Sequence, residues 1–141
     1  MKTMIITGAS RGIGAATAVL AAKYGFAVVI NYHKNQTAAE KVVKAITETG
    51  GKAIAIQADI SKEKDILRLF SETDKLLGNL HSLINNAGIL EQQMRLEEMD
   101  ISRLNRIFAA NITGQLICAR EAIKRMSIKH GGHGGTIVNV S

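Results

Sequence analysis

No proline occurs anywhere in the 141 residues, tryptophan is absent, and Cys118 is the one cysteine. A lone cysteine cannot close an internal disulfide, the usage expected of a reducing compartment. With three Phe and two Tyr as the whole aromatic complement, platforms on which nucleic-acid bases could stack are few. No apolar run is long enough to cross a bilayer, and the opening Met1-Lys-Thr-Met-Ile-Ile-Thr-Gly8 lacks the apolar stretch of a signal peptide. These absences predict a soluble cytoplasmic protein with no membrane partner.

What is present is an ordinary globular apolar fraction, 46%, and a basic excess: 18 Lys and Arg against 12 Asp and Glu, or +6. The basic residues interleave with acidic ones, as in Glu40 to Lys44 and Glu63 to Arg68, which is the pattern of a solvated helix face and not of a nucleic-acid surface. Nucleic acid is therefore not expected as a partner, whereas anionic small molecules are compatible with the charge.

Short apolar runs at Met4 to Ile6, Phe26 to Asn31, Lys52 to Ala58, Ser82 to Asn86 and Thr136 to Val140 have strand length. Helical periodicity fills the gaps. Ala39, Val42, Val43 and Ile46 share one face of a helix, with Thr37 and Glu40 as a capping box and Gly50-Gly51 as its stop. Ser61 is the expected N-cap of the next helix, striped by Ile66, Leu69, Phe70, Thr73 and Leu77. A longer helix, about Ser102 to Lys129, presents Leu104, Phe108, Ile112, Leu116, Ala119 and Ile123. Strict β-α alternation with short links predicts a doubly wound α/β fold, a single Rossmann-like domain of about five parallel strands with helices on both faces. Lys129 to Gly135 reads as a flexible turn. His130 and His133 within it match no metal-ligand spacing, so no metal site is assigned.

Three stretches carry site chemistry. Thr7-Gly-Ala-Ser-Arg-Gly-Ile-Gly14 follows the first strand and opens a helix, and Gly8, Gly12 and Gly14 let a pyrophosphate approach the free N–H groups and positive dipole end of that helix. Its G-x-x-x-G-x-G spacing differs from the G-x-G-x-x-G fingerprint, since Thr17 stands where a third spaced glycine would. After the second strand, Ile30-Asn-Tyr-His-Lys-Asn35 offers no carboxylate before Glu40 for a ribose hydroxyl. Arg11, His33 and Lys34, beside Asn31, instead gather positive charge where a 2′-phosphate would sit, which favours NADP over NAD. Third, Ser82-Leu-Ile-Asn-Asn-Ala-Gly88 runs a strand into a small-residue turn at its carboxyl end, where open α/β sheets bind ligands.

Together these residues resemble the classical short-chain dehydrogenases/reductases, and the resemblance covers the whole chain. Thr7 to Gly14 matches the family's cofactor loop, Asp59-Ile60 its adenine-contacting pair, Asn85-Asn-Ala-Gly88 its sheet-stabilising motif, and Ile137-Val-Asn-Val-Ser141 the strand before its catalytic serine. The resemblance implies NAD(P)-dependent hydride transfer to or from a small-molecule carbonyl or alcohol, in a homo-oligomer (dimer or tetramer) packed through the long helix. By the same resemblance Gly8, Ser10, Arg11, Gly12, Ile13 and Gly14 hold phosphates, Asp59 and Ile60 the adenine, and Asn86, Ala87 and Gly88 the ribose and nicotinamide. Asn111 matches the catalytic asparagine that positions a water in the proton relay.

The family's chemistry also needs a Tyr with a Lys four residues later, which one helix face brings together. Neither tyrosine qualifies: Val28 follows Tyr24 at that spacing and Gln36 follows Tyr32. Ser141 matches the first of a family serine pair whose second member is usually catalytic. The expectation is thus the N-terminal, cofactor-binding part of an NADP-preferring oxidoreductase, inactive alone. The rival expectation is a short protein that binds a dinucleotide or a partner without turnover.

Overall fold

The computed structural model describes all 141 residues. Five strands form one wholly parallel sheet in the order β3-β2-β1-β4-β5. They are β1 (Lys2–Ile6), β2 (Phe26–Tyr32), β3 (Lys52–Gln57), β4 (Leu80–Asn85) and β5 (Thr136–Asn139), with helices α1 (Gly12–Lys23), α2 (Gln36–Thr47), α3 (Glu63–Leu77), α4 (Ile101–Phe108) and α5 (Gly114–Met126) between them. The Rossmann-like α/β architecture is the one expected. Strand limits differ from the apolar runs by one or two residues, because ladder pairing and not hydropathy sets where a strand ends.

Alternation along the strands divides the core in two. Met4, Ile6, Val28 and Ile30 face α1 and α2, where Ala18, Ala21, Ala39 and Ile46 complete one cluster. Ile5, Val29 and Leu83 face the other way, onto Leu69 and Phe70 of α3 and Cys118 and Ala122 of α5. Phe70 is fully buried, and a side chain of that size contributes about 1.5–3 kcal/mol by leaving water. The sheet's first switch of direction lies between β1 and β4, so the loops after β1 and β4 open a crevice at their carboxyl ends.

Helix starts depart from the expectations in a consistent way. Asn35, not Thr37, caps α2: its side chain accepts the Ala38 N–H at 3.0 Å, leaving Thr37 already inside the first turn. Ser61 does not cap α3, whose N-cap is Lys62. The Ser61 hydroxyl and N–H both donate to Asp59 (2.7 and 3.0 Å), and Asp65 reaches back to accept the Asp59 N–H at 2.8 Å. Ser61 thus uses its hydroxyl in a charge-assisted bond to Asp59, about twice as strong as a neutral one, and α3 opens without a side-chain cap.

The long helix is not continuous. Asp100 caps α4 through the Arg103 N–H at 2.8 Å, a π-helical turn spans Ala109–Thr113, and α5 ends at Met126 before a short 3-10 turn, Ile128–His130. Its expected apolar stripe does not face the sheet. Phe108, Ile112, Leu116 and Ile123 are about half exposed, whereas Ala110, Gly114, Cys118 and Ala122 are buried. The small residues let the helix lie close to β4, and the bulky stripe points outward. Gly132 and Gly135 pack against Met126, so the glycine-rich segment before β5 is a fitted corner where a flexible turn was expected.

Candidate functional site

The crevice at the carboxyl ends of β1, β2, β3 and β4 holds a cleft of about 590 Å³. Most of the residues singled out from sequence line it: Gly8, Ser10, Arg11, Gly12 and Ile13 from the β1–α1 turn, Asn31 near the end of β2 with His33 and Lys34 beyond it, Asp59 and Ile60 beyond β3, and Asn86, Ala87 and Gly88 beyond β4. Gly14 and Asn111 stand just outside the lining.

The floor is the β1–α1 turn. Arg11 is the N-cap of α1, its backbone extended and its side chain making no cap hydrogen bond. No protein group accepts the N–H of Gly12, Ile13 or Gly14, so the helix opens with its donors free. Gly12 has φ +58° and open space where a Cβ would lie. This is the geometry that receives an anion at a helix N-terminus. Gly14 has a different part: a Cβ there would stand 2.6 Å from both the Asn86 side-chain nitrogen and the Gly8 carbonyl. It is a packing glycine that brings the first turn of α1 against the loop after β4.

Two polar staples fix the walls. Thr7, at the end of β1, accepts the N–H groups of Asn86 (3.0 Å) and Ala87 (2.9 Å) on one hydroxyl, while Asn86 returns its side-chain amide to the carbonyls of Thr7 and Gly8, both at 3.1 Å. Asn31 is 1% exposed. Its carbonyl oxygen accepts the Gly8 N–H at 3.1 Å and its amide nitrogen donates to the carbonyls of Ile56 (3.3 Å) and Ala58 (3.2 Å). Its polar atoms are engaged by protein, so it shapes the cleft by tying the turn after β1 to the ends of β2 and β3.

The charge is unevenly distributed. Asp59 lies 3.5 Å from His33 and 4.0 Å from Lys62. Burial works to raise its carboxyl pKa, but the two hydrogen bonds from Ser61 and the charges of His33 and Lys62 outweigh it and hold the group below the ordinary carboxylate value. Arg11 and Lys34, by contrast, make no ion pair and no side-chain hydrogen bond, and both are exposed at the mouth.

At the opposite end, Asn111 sits in the π-helical turn and clasps the loop after β4. Its side chain accepts the Ile89 N–H at 2.7 Å and donates to the Ile89 carbonyl at 2.9 Å. Asn111 is the middle residue of the π turn, and Gly114 just beyond it abuts the Ile60 carbonyl with no room for a side chain. Sequence reasoning gave no site role to Tyr32, Asn35, Ala58, Ser61, Ile89 and Ala110, which line the cleft, and placed Thr7 in the glycine turn without its part as a staple. Their signal was positional: each adjoins a motif residue at a strand end or helix turn.

Fold and cleft together define a Rossmann-like α/β protein with an anion-ready first crossover and a ligand crevice at the carboxyl ends of its strands. The chain belongs to the short-chain dehydrogenase family, whose sequence model, described as short chain dehydrogenase, matches residues 2–141. It is 48% identical over its whole length to the uncharacterised oxidoreductase YgfF of Escherichia coli K12, covering 57% of that protein. It is 34% identical to glucose 1-dehydrogenase 2 of Bacillus subtilis, with 99% of this chain matched to 54% of that one. Among solved structures, a short-chain dehydrogenase/reductase from Serratia marcescens superposes with TM-score 0.90 at 33% identity, over 98% of this chain and 54% of that one. The chain thus spans about half the length of the relatives it matches.

Proposed function

We propose that these residues form the cofactor-holding part of an NADP-preferring oxidoreductase that transfers hydride between a nicotinamide and a small carbonyl compound or secondary alcohol. The observation that carries the reading is the pairing of an uncapped α1 N-terminus with two unpaired cations, Arg11 and Lys34, at one end of the cleft. The free N–H groups of Gly12 and Ile13 donate to a pyrophosphate, and Arg11 and Lys34, with His33 alongside, receive a ribose 2′-phosphate. Asp59 and Ile60 border the adenine, and Asn86, Ala87 and Gly88 back the nicotinamide half, where small side chains leave room for a ring. When bound, the cofactor supplies or accepts the hydride. Asn111 holds the Ile89 backbone beside that half and serves the proton relay. The cleft volume falls within the usual range for small-molecule and cofactor sites.

The 141 residues contain no Tyr with Lys four positions on, which favours a second reading for the chain as it stands: it binds the dinucleotide without turnover. The exposed apolar stripe of Phe108, Ile112, Leu116 and Ile123 supports a homo-oligomer, dimer or tetramer, joined through α4 and α5. Fluorescence titration with NADPH and NADH tests the cofactor assignment. Tighter NADPH binding that is lost in Arg11→Ala/Lys34→Ala supports it, and equal or tighter NADH binding refutes it. NADPH-dependent reduction of a carbonyl compound by the 141-residue chain would refute binding without turnover.

A further inference from the structure

The loop between β4 and α4 forms one wall of the cleft, yet little of the ordinary kind holds it. Leu90 is fully exposed and Ile89 is 38% exposed, so apolar burial anchors it weakly. From Gly88 to Met94 no main-chain N–H donates to a main-chain carbonyl. What holds it is polar and comes from the α4 side. Asn111 clasps Ile89, and two residues further along Glu91 is gripped by two arginines of α4. Arg106 donates to both carboxylate oxygens (2.7 and 3.1 Å), and Arg103 lies 3.7 Å away.

Arg103 is the unusual member. Its side chain is 9% exposed, its Nε has no hydrogen-bond partner, and its remaining contact is a donation to the Gln92 carbonyl. A guanidinium so placed is costly unless an anion faces it, and Glu91 is that anion. The same carboxylate therefore neutralises a buried charge and moors the loop, so the loop cannot lift from α4 without stranding Arg103.

We propose that Glu91, held by Arg103 and Arg106, is a positioning residue that keeps the Gly88–Ile89 backbone in register with Asn111 at the nicotinamide end of the cleft. This rests on the dinucleotide reading given above. It separates the site into two halves under different control. The adenosine half is built by the turns after β1, β2 and β3. The nicotinamide half depends on a carboxylate that touches no ligand.

The test uses the 141-residue chain and its Glu91→Gln variant, with NADPH and adenosine 2′,5′-bisphosphate as probes, the latter having the ribose phosphate and adenine but no nicotinamide. If release of the loop lowers its competent fraction to about a tenth, the NADPH dissociation constant rises about tenfold while that of the bisphosphate stays within about twofold. Glu91→Asp, which keeps the charge, recovers part of the loss. Equal weakening of both probes, or of neither, overturns the proposal. Hydrogen exchange at the Ile89 amide gives a readout that needs no ligand: protection falls in Glu91→Gln if the clamp exists, and unchanged protection overturns it. Should wild-type protein bind neither probe, the dinucleotide reading fails while the exchange measurement still decides the clamp. If Glu91→Gln does not fold, Arg106→Gln replaces it, since Arg106 is half exposed and its removal buries no new charge.

Discussion

Asn31→Asp is the sharpest test of the cleft's construction, because it changes one amide nitrogen to oxygen with almost no change of shape. Asn31 is 1% exposed; its oxygen accepts the Gly8 N–H, and its nitrogen donates to the carbonyls of Ile56 and Ala58. An aspartate keeps the first bond and loses both donations, turning an anionic oxygen toward two carbonyl oxygens. Losing two net hydrogen bonds costs about 2 kcal/mol, and leaving a buried charged group facing acceptors adds about 2 kcal/mol or more. The expected loss at pH 8 is about 4 kcal/mol, a large share of the 5–15 kcal/mol that typically separates native from unfolded chains. The new carboxyl escapes part of this by taking up a proton, so its folded pKa lies above the unfolded value of about 3.9. Between those two values the native state binds more protons than the unfolded state, and stability falls as pH rises. Urea unfolding of wild type and variant at several pH values measures this directly. The deficit should be smallest near pH 4 and grow toward pH 8. A variant within about 0.5 kcal/mol of wild type at pH 8, the range usual for inconsequential surface changes, would refute the assigned hydrogen bonds.

Three further outcomes follow from single contacts. Gly14→Ala places a Cβ 2.6 Å from the Asn86 amide and the Gly8 carbonyl, so it should lower stability by about 1–3 kcal/mol through overpacking and weaken NADPH binding, measured by thermal melts and titration. Asp100→Ala removes the cap of α4, whose oxygen accepts the Arg103 N–H at 2.8 Å, and should cost about 1 kcal/mol in chemical denaturation. Cys118 is buried, and burial, with Glu121 adding to it, pushes its thiol pKa up to about 12. It should resist thiol reagents at pH 8 until the chain unfolds. Stability should also decline as pH rises above the unfolded thiol value of about 8.5, because the native state then holds a proton the unfolded state has lost, and Cys118→Ala should lack that decline.

The sheet and its alternation with helices were readable because strand and helix periods differ, and Met4, Ile5 and Ile6 announce a strand buried on both faces. The glycine turn was readable because a positive φ at Gly8 and Gly12 suits few other residues. Helix starts were misplaced because capping is a competition between neighbours. Thr37 and Ser61 fit a cap pattern, but Asn35 takes the Ala38 N–H and the Ser61 hydroxyl turns to the Asp59 carboxylate. Arg103 and Glu91 were invisible as a pair, since nothing in a linear pattern of charges separates a solvated arginine from one that is 9% exposed.

The segment around Asn111 shows why the helical stripe pointed the wrong way. Leu104, Phe108, Ile112 and Leu116 recur every four residues, which in isolation reads as a face seeking a core. Against a parallel sheet, however, what decides contact is how near the helix axis can come to the strands. Ala110, Gly114, Cys118 and Ala122 permit that approach, and Gly114 reaches the Ile60 carbonyl, where any side chain would collide. Once the small face is inward, the bulky stripe must face outward. The π turn at Ala109–Thr113 then sets Asn111 opposite Ile89 while Gly114 remains inward. In a regular α-helix Asn111 and Gly114, three residues apart, would lie about 60° apart on one face; the wider π turn spreads them, so that one segment sets Gly114 against the Ile60 carbonyl and Asn111 against the Ile89 backbone of the cleft wall.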